Sequence, residues 1–179
     1  CLSAEDMVVY LCVHGTSHLW GGLGAMLWLA EYVKQTPDID WSRVMRLADE
    51  LGCRRMLMLG AFLAEDLFGM EMPENVAGKI AQDAAVKDLA KQVYARLFGG
   101  SEQMEHFQWR MQEVPFQLKA RDSWSAKWRY LVWRMFWPTQ KDWRERPLPG
   151  MLAFLYFLTR PVDLMAEWVG GKGNVKNEK

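Results

Sequence analysis

Charge of one sign, paired cysteines and histidine are all scarce in this chain of 179 residues. It carries 22 Lys and Arg against 22 Asp and Glu, so its formal net charge is zero. The chain as a whole is therefore not a basic nucleic-acid binder, whatever a local segment does. Cys1, Cys12 and Cys53 are odd in number and lack C-x-x-C spacing. That argues against a disulfide framework and against a zinc site, and it fits a reducing cytoplasm. The start has no basic region and carries acids at Glu5 and Asp6, which excludes a signal peptide. The first residue is Cys1 rather than methionine, so the chain reads as a processed or excised piece of something longer.

Long apolar spans are also missing. Met7 to Ala30 holds no Asp, Glu, Lys or Arg, but it contains His14, His18, Thr16, Ser17 and Gly21-Gly22. That content is too polar for a bilayer crossing. Pro147 to Thr159 is more apolar but too short to cross, and it suits a buried helix. No membrane span is expected.

Tryptophan and methionine are plentiful, with ten and twelve copies. Charge is also unevenly placed. Residues 1–109 carry 9 basic and 15 acidic side chains, while 110–146 carry 9 and 4 along with six tryptophans from Trp109 onward. A basic, aromatic region thus sits inside a neutral chain.

The periodicity is helical almost throughout, and no segment shows strand alternation. Ser3 is an N-cap before an apolar run from Met7 to about Trp20, broken by Gly21-Gly22. Leu23 to Gln35 forms a second helix, with Leu23, Met26, Leu27, Ala30 and Val33 as its stripe. Asp40 caps a third, with Trp41, Val44, Leu47, Ala48 and Leu51 buried, and Gly52 ends it. Cys53 to Phe68 is strongly apolar and closes at Gly69 and Pro73. Further helices are expected over 75–98, from Ser101 to Glu113, from Pro115 to Pro138 and over 149–159, with Pro161 interrupting the last. The expectation is an all-α fold: one multi-helix domain over 1–169, about eight helices, and a disordered polar tail over 170–179.

Three features bear on chemistry. His14 and His18 lie four residues apart, so both imidazoles share a helix face, as in helical two-histidine metal sites. H-G-T-S-H lacks the glutamate of H-E-x-x-H, and Glu31 on the next helix is the one candidate third ligand. The favoured reading is that the histidines hydrogen-bond between helices or line an interface. Gly21-Gly22 followed by Asp38-Ile39-Asp40 imitates the Gly-Gly and Asp-x-Asp of polymerase-beta-type nucleotidyltransferases. Here, however, the two are joined by a helix, and Asp40 is needed as a cap. Finally, Trp124, Trp128, Trp133 and Trp137 alternate with Lys127, Arg129 and Arg134. Such a helix could stack bases or attract phosphates, or lie at a membrane surface. Packing of the tryptophans into a core is favoured. A cysteine nucleophile has little support: Cys12 is two residues from His14, on another face, and nothing supports Cys1.

The runs Y-L-C-V-H-G-T-S-H-L-W…L-W-L-A-E-Y, D-I-D-W-S-R-V…A-D-E-L-G and L-A-E-D-L-F-G-M-E-M-P resemble the C-terminal helical part of an uncharacterised bacterial nucleotidyltransferase-like family. F-W-P-T-Q-K-D-W-R-E-R-P-L-P…L-T-R-P resembles that family's closing segment. The resemblance implies a preceding catalytic domain, on a mixed sheet, that holds magnesium and a nucleoside triphosphate. This chain carries no counterpart of its Asp-x-Asp, and no cofactor is expected here. His14, His18 and Trp20 fall on the family's H-x-x-x-H-x-W positions, and Glu31 stands where an aspartate is usual. With Trp28, these are the expected contacts to substrate or to the catalytic domain. Lys127, Arg129 and Arg134 are the expected phosphate contacts. The implied role is to assist acceptor or nucleotide binding in the cytoplasm without catalysing transfer alone. The implied partner is the catalytic domain or a nucleotide-bound protein. The rival readings are a stand-alone helical module that binds protein or nucleic acid, and a helical metalloprotein using His14 and His18.

Overall fold

A computed structural model of the chain describes residues 2–99 and 106–136, with side chains from residue 112 in the second stretch. The described residues form eight helices and no strand, so the fold is all-α. They are α1 Ala4–Ser17, α2 Leu23–Gln35, α3 Trp41–Leu51, α4 Arg54–Phe68, α5 Glu74–Gln82, α6 Ala84–Phe98, α7 His106–Ala120 and α8 Trp124–Phe136. The chain divides into two compact units, 1–127 and 128–179, with the boundary inside α8. The expected helix over 149–159, the stop at Pro138 and the 170–179 tail lie outside the described residues, as does Cys1.

The cap chemistry explains where most helices begin and end. Ser3 Oγ accepts from the Asp6 amide at 3.2 Å, and Asp6 Oδ2 accepts from the Ser3 amide at 3.0 Å, a reciprocal box that opens α1. Asp40 Oδ1 accepts from the Ser42 and Arg43 amides at 2.9 and 3.1 Å and opens α3. Gly52 and Gly69 close α3 and α4 in left-handed conformations, φ 67° and 65°, where a Cβ would be strained. Ser123 Oγ accepts from the Ala126 amide and starts α8.

Around this frame, α4 is the hub. Met56 to Ala61 are all buried, and the helix touches α1, α2, α3, α5, α6 and α7. Such all-round burial is what its unbroken apolar run requires. The tightest approach is to α1. A Cβ on Gly60 would stand 2.7 Å from Cys12 Sγ and 3.0 Å from Trp20 Cζ2, while one on Gly15 would stand 2.7 Å from Trp20 Cε3. Two glycines on facing helices thus make the slot that receives the Trp20 indole.

Four sequence expectations are corrected. The helix that opens the chain ends at Ser17, not at Gly21-Gly22: Leu19 and Trp20 both take positive φ, 57° and 51°, which turns the chain so that Trp20 folds back onto Gly15. Residues 75–98 are two helices, because Asp83 Oδ1 takes the Ala85 and Val86 amides at 2.8 and 3.3 Å and starts α6 afresh. Pro115 does not open a helix but lies inside α7. The missing amide is tolerated because Phe116, Gln117 and Ala120 just beyond it are buried. Of the expected stripes, Leu23, Leu27 and Leu51 are exposed, and Leu29 is buried in α2 instead.

A polar clasp ties α4 to the start of α6 and to the turn after α7. Arg55 Nε donates to Asp83 Oδ2 at 3.1 Å, its Nη1 donates to the Lys119 carbonyl at 2.8 Å, and its amide donates to Asp122 Oδ2 at 2.8 Å. One side chain therefore holds the start of α6 and the end of α7. Burial pushes the Asp83 carboxyl up, but the Arg55 guanidinium and the two α6 amides outweigh it and leave it below the usual carboxylate range.

Gly15→Ala should lower the urea-unfolding free energy by about 1–3 kcal/mol through overpacking against Trp20. Gly78→Ala, in the α5 interior with open space around it, should raise it by about 0.5–1 kcal/mol. Asp83→Ala should cost about 2 kcal/mol, from the lost cap and the lost charged hydrogen bond. Because the folded-state carboxyl is depressed, that contribution is complete above the ordinary carboxylate range. It fades as pH falls through the lowered value, and urea melts at pH 7 and pH 3 should show the wild-type and Asp83→Ala proteins converging.

Candidate functional site

The face of α1 turned away from α4 carries a ladder of rings. Tyr10, His14 and His18 recur every fourth residue, and all three are exposed. The Tyr10 and His14 rings stack with centroids 5.7 Å apart and planes 22° off parallel, and His14 and His18 stand 4.6 Å apart at 58°. The helix repeat produces this spacing directly. The sequence expectation that the two imidazoles share a face holds, but neither is committed to a hydrogen bond between α1 and α2. The ring nitrogens lie open on the surface instead.

The foot of the ladder is fixed from behind. The C-terminal carbonyls of α1 have no helical partners of their own. Gln117 Nε2 donates to the Thr16 carbonyl at 2.8 Å, and Arg96 Nη1 donates to the Leu19 carbonyl at 3.5 Å. Arg96 also lies over the Phe116 ring, 4.7 Å from its centroid. Its charge stands at the negative end of α1, where a cation is favoured. Sequence reading missed Gln117, Arg96 and Arg55. A polar residue between Phe116 and Leu118 was the one available sign for Gln117.

The remaining candidates separate. Trp20 is 1% exposed, and its Nε1 donates to Thr16 Oγ1 at 3.2 Å. It is a core side chain and presents nothing to a ligand. Trp28 is 73% exposed on α2. Glu31 lines a groove of about 500 Å³ with Lys34, Thr36, Trp41, Phe68 and Glu71. It does not complete a metal set with His14 and His18: no group of three or more His, Cys, Asp or Glu among the described residues is placed to hold a metal ion. Asp40 Oδ1 serves as the cap of α3, the role the sequence assigned to it. Cys12 and Cys53 are buried free cysteines. Burial raises both thiols, Cys53 to about 11 and Cys12 further, so neither supplies a thiolate nucleophile.

In the first unit, Lys127 is half-exposed. In the second, Trp128 and Trp133 are 61% and 56% exposed, with Arg129 exposed between them and Arg134 half-exposed. These two rings, with Val132 and Phe136, border a shallow depression along the helix itself. Trp124, in the first unit, is also exposed. The expected packing of these tryptophans into a core is therefore not found among the described residues; Trp137 lies outside them.

Fold and surface together define an all-α helical unit with an exposed ring ladder and a side groove. Residues 1–69, which span α1 to α4 and the Gly69 cap, match the model of a family described as an uncharacterised nucleotidyltransferase. The likeness read from the histidine, D-I-D-W and A-E-D-L-F-G runs is thus shown over those residues. No curated protein and no solved structure matches the chain. No described helix is long and apolar enough to cross a membrane.

Proposed function

We propose that this chain is the helical part of a nucleotidyltransferase-like protein, which helps to hold the acceptor or the nucleotide and does not catalyse transfer by itself. The observation that carries this reading is the coincidence of the family match with α1 and α2, which present Tyr10, His14, His18 and Trp28. Water-exposed rings on a rigid helix suit contact with a ligand or a second domain better than they suit folding. In this reading His14, His18 and Trp28 face the catalytic domain or its bound nucleotide. That domain holds the magnesium and the triphosphate. Magnesium there would supply the charge stabilisation that transfer of a nucleotidyl group to the acceptor needs, and this chain's part would be to hold and orient the acceptor or the nucleotide. A cytoplasmic setting agrees with the unbridged Cys12 and Cys53.

A second reading draws on the exposed Trp128, Arg129 and Trp133 in the second unit. Aromatic faces interleaved with cations bind single-stranded nucleic acid through stacking and phosphate attraction.

The frame upstream of Cys1 should encode a mixed-sheet domain with an Asp-x-Asp pair. In the joined protein His14→Ala with His18→Ala should reduce nucleotide transfer at least about tenfold while leaving the unfolding temperature within a few degrees, since both residues are exposed. A start codon immediately before Cys1, or unchanged transfer in the double variant, would count decisively against this reading. For the second reading, a fluorescent dT15 oligonucleotide should bind more weakly as salt rises and weaken further with Arg129→Ala and Arg134→Ala. Salt-independent or absent binding removes it.

A further inference from the structure

The groove beside α2 has a lining that specifies a ligand. It is formed where the C-terminal turns of α2 and α4 meet the first residue of α3. Gly69, in its left-handed turn, ends α4 and reverses the chain: Met70 drops into the core and Glu71 comes out at the rim. Glu31 lies on α2, one turn before its end, and Lys34 follows it in the last turn. All three charged side chains are exposed, and none takes part in a hydrogen bond or an ion pair among the described residues. Trp41 and Phe68 supply aromatic walls, each half-buried and packed against the core.

The charge of this groove has a definite sign. Two carboxylates stand against one ammonium. Two helices, α2 and α4, also end at it, and a helix C-terminus carries roughly half a negative charge. The opposing contribution is the start of α3, but the Ser42 and Arg43 amides there are already taken by the Asp40 carboxylate. An anion entering the groove would find Lys34 alone, whereas a cation would find two carboxylates and two ring faces. Aromatic faces attract cations as well. The volume of about 500 Å³ lies within the usual range for small-molecule sites. The mixture of a charged rim and apolar walls asks for a ligand with both an ammonium and a ring or hydrocarbon body.

We infer that the groove between α2, α3 and α4 is a binding site for an organic ammonium compound. Glu31 and Glu71 hold its ammonium group, and Trp41 and Phe68 cover its apolar body. This goes beyond the role assigned to the ring ladder and does not depend on it, since Tyr10, His14 and His18 do not line the groove. A failure here would leave that reading standing, and the reverse is equally true.

The test uses the whole chain and saturation-transfer NMR with three probes of the same shape: phenethylamine, phenethyl alcohol and phenylacetate. Phenethylamine should bind saturably, the alcohol should bind more weakly, and phenylacetate should show no saturable binding. The double variant Glu31→Gln, Glu71→Gln should weaken phenethylamine roughly tenfold or more, the scale of a lost charge-assisted hydrogen bond. Lys34→Gln should leave it as tight or tighter. Both carboxylates are exposed, so the variants should keep the wild-type far-ultraviolet circular dichroism. Phenylacetate binding as well as the amine, undiminished amine binding in the folded double variant, or no saturable amine binding to the wild-type chain overturns the proposal.

Discussion

The seating of Trp20 between Gly15 and Gly60 is the contact on which the rest of the unit depends. An indole is the bulkiest group a core can bury, and here it is only 1% exposed. It can enter only because two facing helices have hydrogen where other residues have a Cβ. The same contact sets the direction of the chain. Leu19 and Trp20 adopt left-handed backbone, a cost of about 1–2 kcal/mol per residue for non-glycine side chains. The buried ring and its bond to Thr16 Oγ1 offset that cost. As a result α2 starts in the position from which it can lie against α4. The geometry of the ring ladder follows from this arrangement, because the α1 face that does not meet α4 is the one that carries Tyr10, His14 and His18.

Apolar packing alone would leave the later helices loosely attached to this core. Arg55, Asp83, Asp122, Gln117 and Arg96 supply directed bonds where helix ends meet. Three of these residues take groups that a helix end leaves unsatisfied: Asp83 takes the first amides of α6, Arg55 takes a carbonyl near the end of α7, and Gln117 takes one near the end of α1. Helix termini carry these free donors and acceptors by construction. A polar clasp at those points completes hydrogen bonding that would otherwise need water. Asp122 shows the balance: burial raises its carboxyl, and the Arg55 amide and guanidinium only partly counter that. The clasp therefore fixes geometry more than it adds stability, as partly buried ion pairs commonly do.

Local chemistry was the legible part of the sequence. Ser3, Asp40, Gly52 and Gly69 act through neighbours two to five residues away, so their roles as caps follow from sequence spacing. The all-α class follows from the same local periodicity. What stayed hidden depends on distant partners. Asp83 is a capping residue type and the six-residue step from Ile80 to Val86 departs from helical spacing, but no glycine or proline stands there to mark the break. Pro115 looked like a helix start because nothing local reveals that Phe116 and Ala120 are buried further on. Trp20 and Trp28 show the limit most clearly. They are the same residue type eight positions apart, both in apolar surroundings, yet one is core and the other 73% exposed. Only the partner helix decides between them. Glu31 was singled out, but its companions Glu71, Trp41 and Phe68 come from other elements, so the groove could not be assembled from one segment.

The two surfaces of interest differ in kind, and the difference follows from how each is built. The ladder comes from one helix, so its spacing is fixed by the α-helical repeat and would survive small shifts in packing. The groove comes from the ends of two helices and the start of a third, so its shape depends on the Gly69 turn and on how α2 lies against α4. Residues 1–69 carry the whole ladder and most of the groove, and Glu71 lies just beyond that stretch. The turn that ends the family match thus also places the second carboxylate. A surface built from a single helix suits docking against a rigid partner. A concave site built at converging helix ends, with its own sign of charge, suits a small ligand. On this architecture, partner contact and ligand selection can vary independently, because substitutions in α1 alter the first without touching the residues that line the second.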